Sequence, residues 1–508
     1  MKKIVFFIML AIITVSCKKN DDEIASLEHH AASNIIIVSQ RTAPISFDPL
    51  EANDVSSKRI IYNIYSRLID INKENQIVPK LANSFDFIDD FQVKFNLRKN
   101  IFFHNGNQLT AEDVLYSIER VKNSEDEKKN NLFRDIEKIE IIDEYSFTVT
   151  SSVPIRGILV NFSDISASIV SKEVALTHDD LYPNPIGSGP FYIDDYSDPK
   201  HIFLKPHQKF YDPPSSLEGL FIKSIESQNE RLLFLESGEQ HITFDIGGDG
   251  KKAINELSQI NLDSSYTLST CYLGINLDNS VLDNLQIRKA LVSGIDINTI
   301  LSELFMTDES RANSILSPSY PEYSKYTRIY DFFQNGALDL INNNVGLDKR
   351  LSFDFVFLRG NSLHRRIAQR ILENLNQVNI HINLVACGEE EFRNRIENKE
   401  YDLVINDTSS NEKNPYNLLQ NLLFEKYQNN PKEFHFLLEE IQKENDISKN
   451  NVLYEEIQNL INDNIYIYPI YFNSIDVGYL DSIKNVNLLP DNVIDFYELS
   501  FWLFRINP

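Results

Sequence analysis

Ten histidines and three cysteines are the chain's stock of metal-ligating and nucleophilic side chains, and their spacing offers little bond-making chemistry. No CxxC or HExxH pair occurs, so the sequence spacing of a zinc site is missing. His104, in Phe103-His104-Asn105-Gly106, invites a general-base or metal reading, but no second His or carboxylate stands at ligand spacing beside it. Gly247-Gly248-Asp249-Gly250-Lys251-Lys252 lacks the spacer and the Ser/Thr of a phosphate-binding loop and reads as a turn. Gly187-Ser188-Gly189 does not complete the Gly-x-Ser-x-Gly of a nucleophile elbow. A hydrolase would need a nucleophile, a base and an orienting group, and no Ser or Cys has a histidine in recognisable context. Gly106, Gly187 and Gly189 read as backbone accommodations, and Arg98 and Arg288 as braces for neighbouring carboxylates or carbonyls. Cys271 and Cys387 read as buried thiols, with a disulfide as the alternative. The expected chemistry is therefore binding, with no catalytic residue, no metal and no cofactor.

Cys17 is the exception. Lys2 and Lys3 precede an apolar run from Ile4 to Val15, and Thr14-Val15-Ser16-Cys17 closes it with small residues before the thiol. The run of about 12 is well short of the ~20 that a membrane-spanning helix needs. The segment resembles a bacterial lipoprotein signal, and by that resemblance Cys17 becomes the lipidated first residue of the mature chain. Residues 18–33 have almost nothing to bury and read as a solvated tether, so the folded body begins near Asn34. A body of about 475 residues exceeds one hydrophobic core, and two or three domains are expected. The balance of 49 basic against 74 acidic side chains gives a net charge of −25, which becomes −27 once Lys2 and Lys3 leave with the signal. That field repels nucleic acid and anionic head groups, so no nucleic-acid partner is expected and membrane contact is through the lipid anchor alone.

The elements follow from apolar periodicity. Ile35-Ile36-Ile37-Val38 reads as a buried first strand, Ser57 to Leu68 as a helix, and Phe91 to Leu97 as an alternating strand. Thr110-Ala111-Glu112-Asp113 opens a helix, capped by Thr110 and favoured by its early carboxylates. The charged stretch Asn123 to Asn131 reads as an exposed turn. Pro183 to Pro190 is the densest cluster of breakers, Tyr272 to Leu277 is a strand, and Asp283 to Leu301 a single helix. From Leu351 to Ile405 strand, helix, strand, helix and strand alternate as an α/β unit. Leu453 to Asn462 is a helix and Ile465 to Phe472 a β-rich return containing Pro469.

Several short stretches stand together in a telling order: Asp48-Pro49, Ile77 to Ala82, Phe95 to Arg98, Phe102 to Gly106, Leu109 to Val114, Pro185 to Phe191, Gly274-Ile275-Asn276, Ile287 to Leu291 and Tyr401-Asp402-Leu403. In this order the chain resembles family 5 extracellular solute-binding proteins, the peptide and nickel-type receptors of ABC importers. The resemblance implies an α/β, two-lobed periplasmic-binding-protein-like fold with a hinge and an inserted subdomain in the first lobe. We place the first lobe at 34–58, 188–276 and 470–508, the insertion at 59–187 and the second lobe at 277–469. The strands leaving Asn276 and entering near Pro469 would form the hinge.

In the peptide receptors of that family, the segment after Tyr-Asp-Leu carries a Trp and then an Asp that holds the ligand ammonium, followed by a Pro. Counted without gaps from Asp402, these positions are Thr408, Asn411 and Pro415, so the Pro agrees and the other two depart. An amide brings no charge to balance a buried ammonium. Asp407 or Glu412 could supply the carboxylate, and Tyr272 and Arg359 are further ligand-binding candidates. The resemblance implies a lipid-anchored, monomeric receptor in the bacterial cell envelope, facing the periplasm or the cell surface. It would capture a peptide or another small solute for an ABC permease and its ATPase. A receptor for nickel chelate, haem or a signal peptide without transport is the alternative, and an envelope hydrolase a third reading.

Overall fold

The computed structural model describes residues 34–72, 76–177, 185–305, 311–346, 349–409, 412–423, 432–491 and 493–501. The signal, Cys17 and the 18–33 tether lie outside the described residues. One mixed sheet of ten strands runs through the body. Its order is Ile380–Cys387, Leu351–Leu358, Leu403–Asp407, Ile260–Ile275, Ile467–Leu480, Ile242–Phe244, Ile35–Gln40, Gly219–Ser224, His201–Pro206 and Phe191–Asp198. The continuous apolar run at Ile36 to Val38 makes sense here, since that strand pairs in parallel on both sides and is buried. Leu351–Leu358 likewise pairs in parallel with Ile380–Cys387 and Leu403–Asp407, joined through the helices Ser362–Asn376 and Glu389–Glu397. This is the α/β unit predicted from periodicity.

Apolar side chains collect in three principal cores. One spans Leu268 to Tyr471. A second gathers Ile36 to Tyr65 with residues from Ile165 to Phe244 and Ile475 to Leu499. The third, from Leu50 to Ile169, lies against a separate four-stranded sheet of Ala82–Phe87, Gln92–Leu97, Ser146–Ser151 and Ile136–Asp143.

Two long antiparallel strands, Ile260–Ile275 and Ile467–Leu480, connect the first two cores. Their pairing slips between Tyr266 and Thr270, and again between Cys271 and Tyr272. The second slip sits opposite Pro469, which has no N–H to give the ladder. Ile470 is skipped there, and its carbonyl accepts from the Ala312 N–H at 3.1 Å instead. Bulges bend and twist a ribbon, so this pair is weakest as a rigid beam where it passes from one core to the other.

Several local expectations are corrected. Glycine at 247–250 does not make a turn: Gly247 precedes a helix, Gly248–Asn255, anchored by a Lys251–Asp476 ion pair of 2.8 Å. The charged stretch after Asn123 contains the start of a helix, Glu127–Phe133, because Leu132 and Phe133 bury into the third core. The single helix expected over Asp283 to Leu301 is two, Leu285–Ser293 and Ile297–Phe305. Gly294 ends the first, and Asp296 caps the second by accepting from Thr299 N–H at 3.2 Å. At Thr110 the cap is reciprocal, since the Asp113 carboxylate accepts from the Thr110 N–H at 2.9 Å.

Candidate functional site

The strand Leu403–Asp407 is held between Leu351–Leu358 and the long strand Ile260–Ile275, so the residues that follow it leave the sheet from a fixed point. Thr408 extends that grip: its Oγ1 accepts from the Thr270 N–H at 2.8 Å and its N–H donates to the Thr270 carbonyl at 2.9 Å. Beyond the gap in the described residues, the chain re-enters at Glu412 and crosses to other cores. Lys413 donates to the Ser163 carbonyl at 3.0 Å and pairs with Asp491 at 2.8 Å, both partners of the pair being nearly buried. The Asn414 amide donates to the Gly157 carbonyl at 2.9 Å. Residues 412–414 thus tie the first core to the other two.

Two cavities meet at this tie, sharing Lys413 and Asp491 in their walls. The larger, about 630 Å³, is lined by Phe85, Phe87 and Arg156 on one side and Tyr320, Glu322 and Tyr454 on the other. The smaller, about 380 Å³, is faced by Lys58, Lys129, Asp164, Asp407 and Glu412. Both fall within the ~300–1,000 Å³ range of small-molecule sites. The larger has mainly apolar walls and the smaller is rich in charged groups, which suits a solute that carries both kinds of surface.

The electrostatics of the two glutamates set the site apart. Burial, only partly offset by the Asn414 N–H at 3.0 Å, pushes Glu412 up to about 8. Tyr320 donates its hydroxyl to the Glu412 carbonyl and fixes the backbone there. Burial likewise pushes Glu322 up to about 7, and its Oε2 has no hydrogen-bond partner among the described residues. A buried carboxyl without a cation is held neutral, and a bound cationic group would let it ionise. Lys58 is shifted down by burial, against the opposing pull of Asp164 and Asp491.

Of the candidates read from sequence, Asp407 and Glu412 are brought together in the smaller cavity. Asn411 lies outside the described residues. Tyr272 is fully buried within the first core and lines neither cavity. Arg359 donates to the Ala386 carbonyl at 3.0 Å and is absent from both linings. His104 accepts from the Gly187 N–H at 3.2 Å through Nδ1, which leaves Nε2 to donate to the Gly189 carbonyl at 3.2 Å. Burial, with His207 adding to it, pulls His104 down to about 3, so it is a neutral brace. Arg98 and Arg288 also brace carbonyls, of Lys80 and of Leu282, Asp283 and Asn464. Cys271 and Cys387 are buried free thiols. Glu322 carried no local sequence signal, because it acquires its role from partners on other elements.

Packed cores joined by a two-stranded crossing, with cavities between them, define a two-lobed binding protein. The chain belongs to the bacterial extracellular solute-binding proteins, family 5, whose middle-region model matches residues 76–430. A relative, the di/tripeptide-binding protein 1 of Pseudomonas aeruginosa, is 22% identical over 94% of this chain and 96% of its own length. Among solved structures, the periplasmic binding protein DppA of Helicobacter pylori in complex with the peptide STSA superposes with a TM-score of 0.77, at 21% identity, over 92% of this chain and 98% of that one. NikA of Brucella suis in complex with Fe(III)-EDTA reaches a TM-score of 0.82 at 17% identity, over 92% of this chain and 100% of that one. These likenesses establish the two-lobed α/β binding-protein fold.

Proposed function

We propose that this protein is the lipid-anchored receptor of an ABC importer and captures short peptides, or similar small solutes with a cationic end, in the cavities between its lobes. The observation that carries the reading is the pair of buried carboxyls, Glu412 and Glu322, neither in an ion pair among the described residues, in the walls of two adjoining cavities. Where Asn411 departs from the acidic residue of the family's peptide receptors, Glu412 takes over as partner for the ligand ammonium. Asp407 is already engaged by Asn473 at 2.8 Å and His364 at 3.2 Å, which makes Glu412 the better acceptor. The larger cavity, with Phe85 and Phe87, receives the apolar part of the solute. The chemistry is capture and release, the partners are a permease and its ATPase, and the lipid on Cys17 keeps the receptor at the envelope membrane.

Calorimetric titration of a dipeptide mixture, free and N-acetylated, into residues 18–508 tests this. Free-amine peptides bind, acetylated ones bind more weakly, and Glu412→Gln costs about 2–5 kcal/mol for the former only. Equal affinity of both peptide classes for both proteins would remove Glu412 from the site.

A further inference from the structure

Behind the wall of the smaller cavity the fold gathers three groups that the sequence scatters. Cys271 on the long strand is in register with Asp407 on its neighbour. Opposed residues of an antiparallel pair stand side by side on one face. His364 comes to the same face from the first turn of the helix Ser362–Asn376, where Asn361 accepts from its backbone N–H at 3.0 Å. Cys271 Sγ lies 3.6 Å from His364 Nε2, and His364 Nε2 lies 3.2 Å from Asp407 Oδ2. The three atoms all fall within 4.8 Å of one another.

The two edges at His364 Nε2 match those of a tetrahedral coordination sphere. Zinc–sulfur bonds of about 2.3 Å and zinc–nitrogen and zinc–oxygen bonds of about 2.0–2.1 Å, at tetrahedral angles, give an S···N edge of about 3.6 Å and an N···O edge of about 3.3 Å. A thiolate, an imidazole and a carboxylate form the mixed ligand set of a borderline-soft divalent ion. Asp407 is oriented for the role, because its Oδ1 accepts from Asn473 Nδ2 at 2.8 Å and leaves Oδ2 on the His364 side. The Tyr471 hydroxyl bonds the Cys271 thiol in the same way. Cys271 and His364 are buried, whereas the Asp407 side chain is 35% exposed and faces the smaller cavity.

We propose that Cys271, His364 and Asp407 form a zinc-class metal site in the wall of the cleft, with its fourth position open to the cavity. The protein supplies three ligands, and water or a donor atom of the captured solute supplies the fourth. On binding, the Cys271 thiol gives up its proton to solvent, and the proton that His364 Nε2 directs at the Asp407 carboxylate passes to solvent or is replaced by one on Nδ1, so that the thiolate sulfur and the Nε2 lone pair bond the ion. The site stands whether or not the cargo is a peptide.

Cobalt(II) titration of chelator-treated, folded residues 18–508 reads the site directly. One equivalent gives a sulfur-to-cobalt charge-transfer absorption and the visible bands of a tetrahedral ion, and added zinc removes both. The charge-transfer absorption is lost in Cys271→Ser and retained in Cys387→Ser, and Asn473→Ala weakens binding by about 10–100-fold. Should Cys271→Ser fail to fold, His364→Gln loses the tetrahedral bands on the same titration. No sulfur band in the parent protein, a band that survives Cys271→Ser, or one lost in Cys387→Ser would each overturn the site and leave a hydrogen-bonded cluster.

Discussion

Glu412 is the side chain on which the proposed capture of a cationic group turns. Its carboxyl, ordinarily at 4.5, is raised to about 8 by burial, so pairing it with a ligand ammonium requires a proton to leave. Affinity for a cationic solute therefore rises as pH rises toward 8, by up to about tenfold per unit in the acid range. In the ligand-free protein the same shift acts on stability with the opposite sense. Its contribution is complete below 4.5 and is lost as pH climbs through about 8. Calorimetry of a free-amine peptide at several pH values below 7 checks the first statement, and Glu412→Gln should flatten the profile. A slope that persists in the variant would move the proton to another group. The sequence placed a carboxylate near this point only through the resemblance and an ungapped count. Glu322, raised to about 7 and with an unpartnered oxygen, was not legible at all, because its burial is a property of the assembled cleft.

At the scale of elements, the local patterns that repeat within a few residues were the ones that could be read. The α/β alternation after Leu351 and the breaker cluster before Phe191 follow directly from period and composition. Boundaries set by distant partners did not: the long strand Ile260–Ile275 begins well before Tyr272 because Ile467–Leu480 is there to pair with it. The glycines at 187 and 189 are likewise explained by a neighbour. A Cβ on Gly187 would lie 1.8 Å from the Ile64 carbonyl oxygen, and one on Gly189 2.6 Å from the Ile64 carbonyl carbon, at the end of the helix Val55–Ile64. Backbone cannot yield as a flexible side chain does. Gly187→Ala should lower stability by about 3 kcal/mol, read as a lower denaturant midpoint with unchanged slope. An unchanged midpoint would mean that the two segments are not packed as described.

For the whole molecule, three cores are joined by a bulged two-stranded crossing and by a loop at 412–414 that bridges them, an arrangement that leaves its cavities between the cores. No helix among the described residues is long and apolar enough to cross a membrane, and the proposed attachment through Cys17 rests on the resemblance of the first seventeen residues to a lipoprotein signal. Cys17→Ala should yield unlipidated protein, seen as loss of the acyl mass and of partition into detergent, and normal acylation of that variant would refute the anchor. Capture of a small cationic solute draws on the buried carboxyls, the elements that place them and the cavities between the cores together. Native mass spectrometry of residues 18–508, purified without refolding and then denatured to release what travelled with it, tests this most directly. A set of small masses that fragment as peptides is the expected result. A single metal chelate or haem mass, with no peptide, would contradict it.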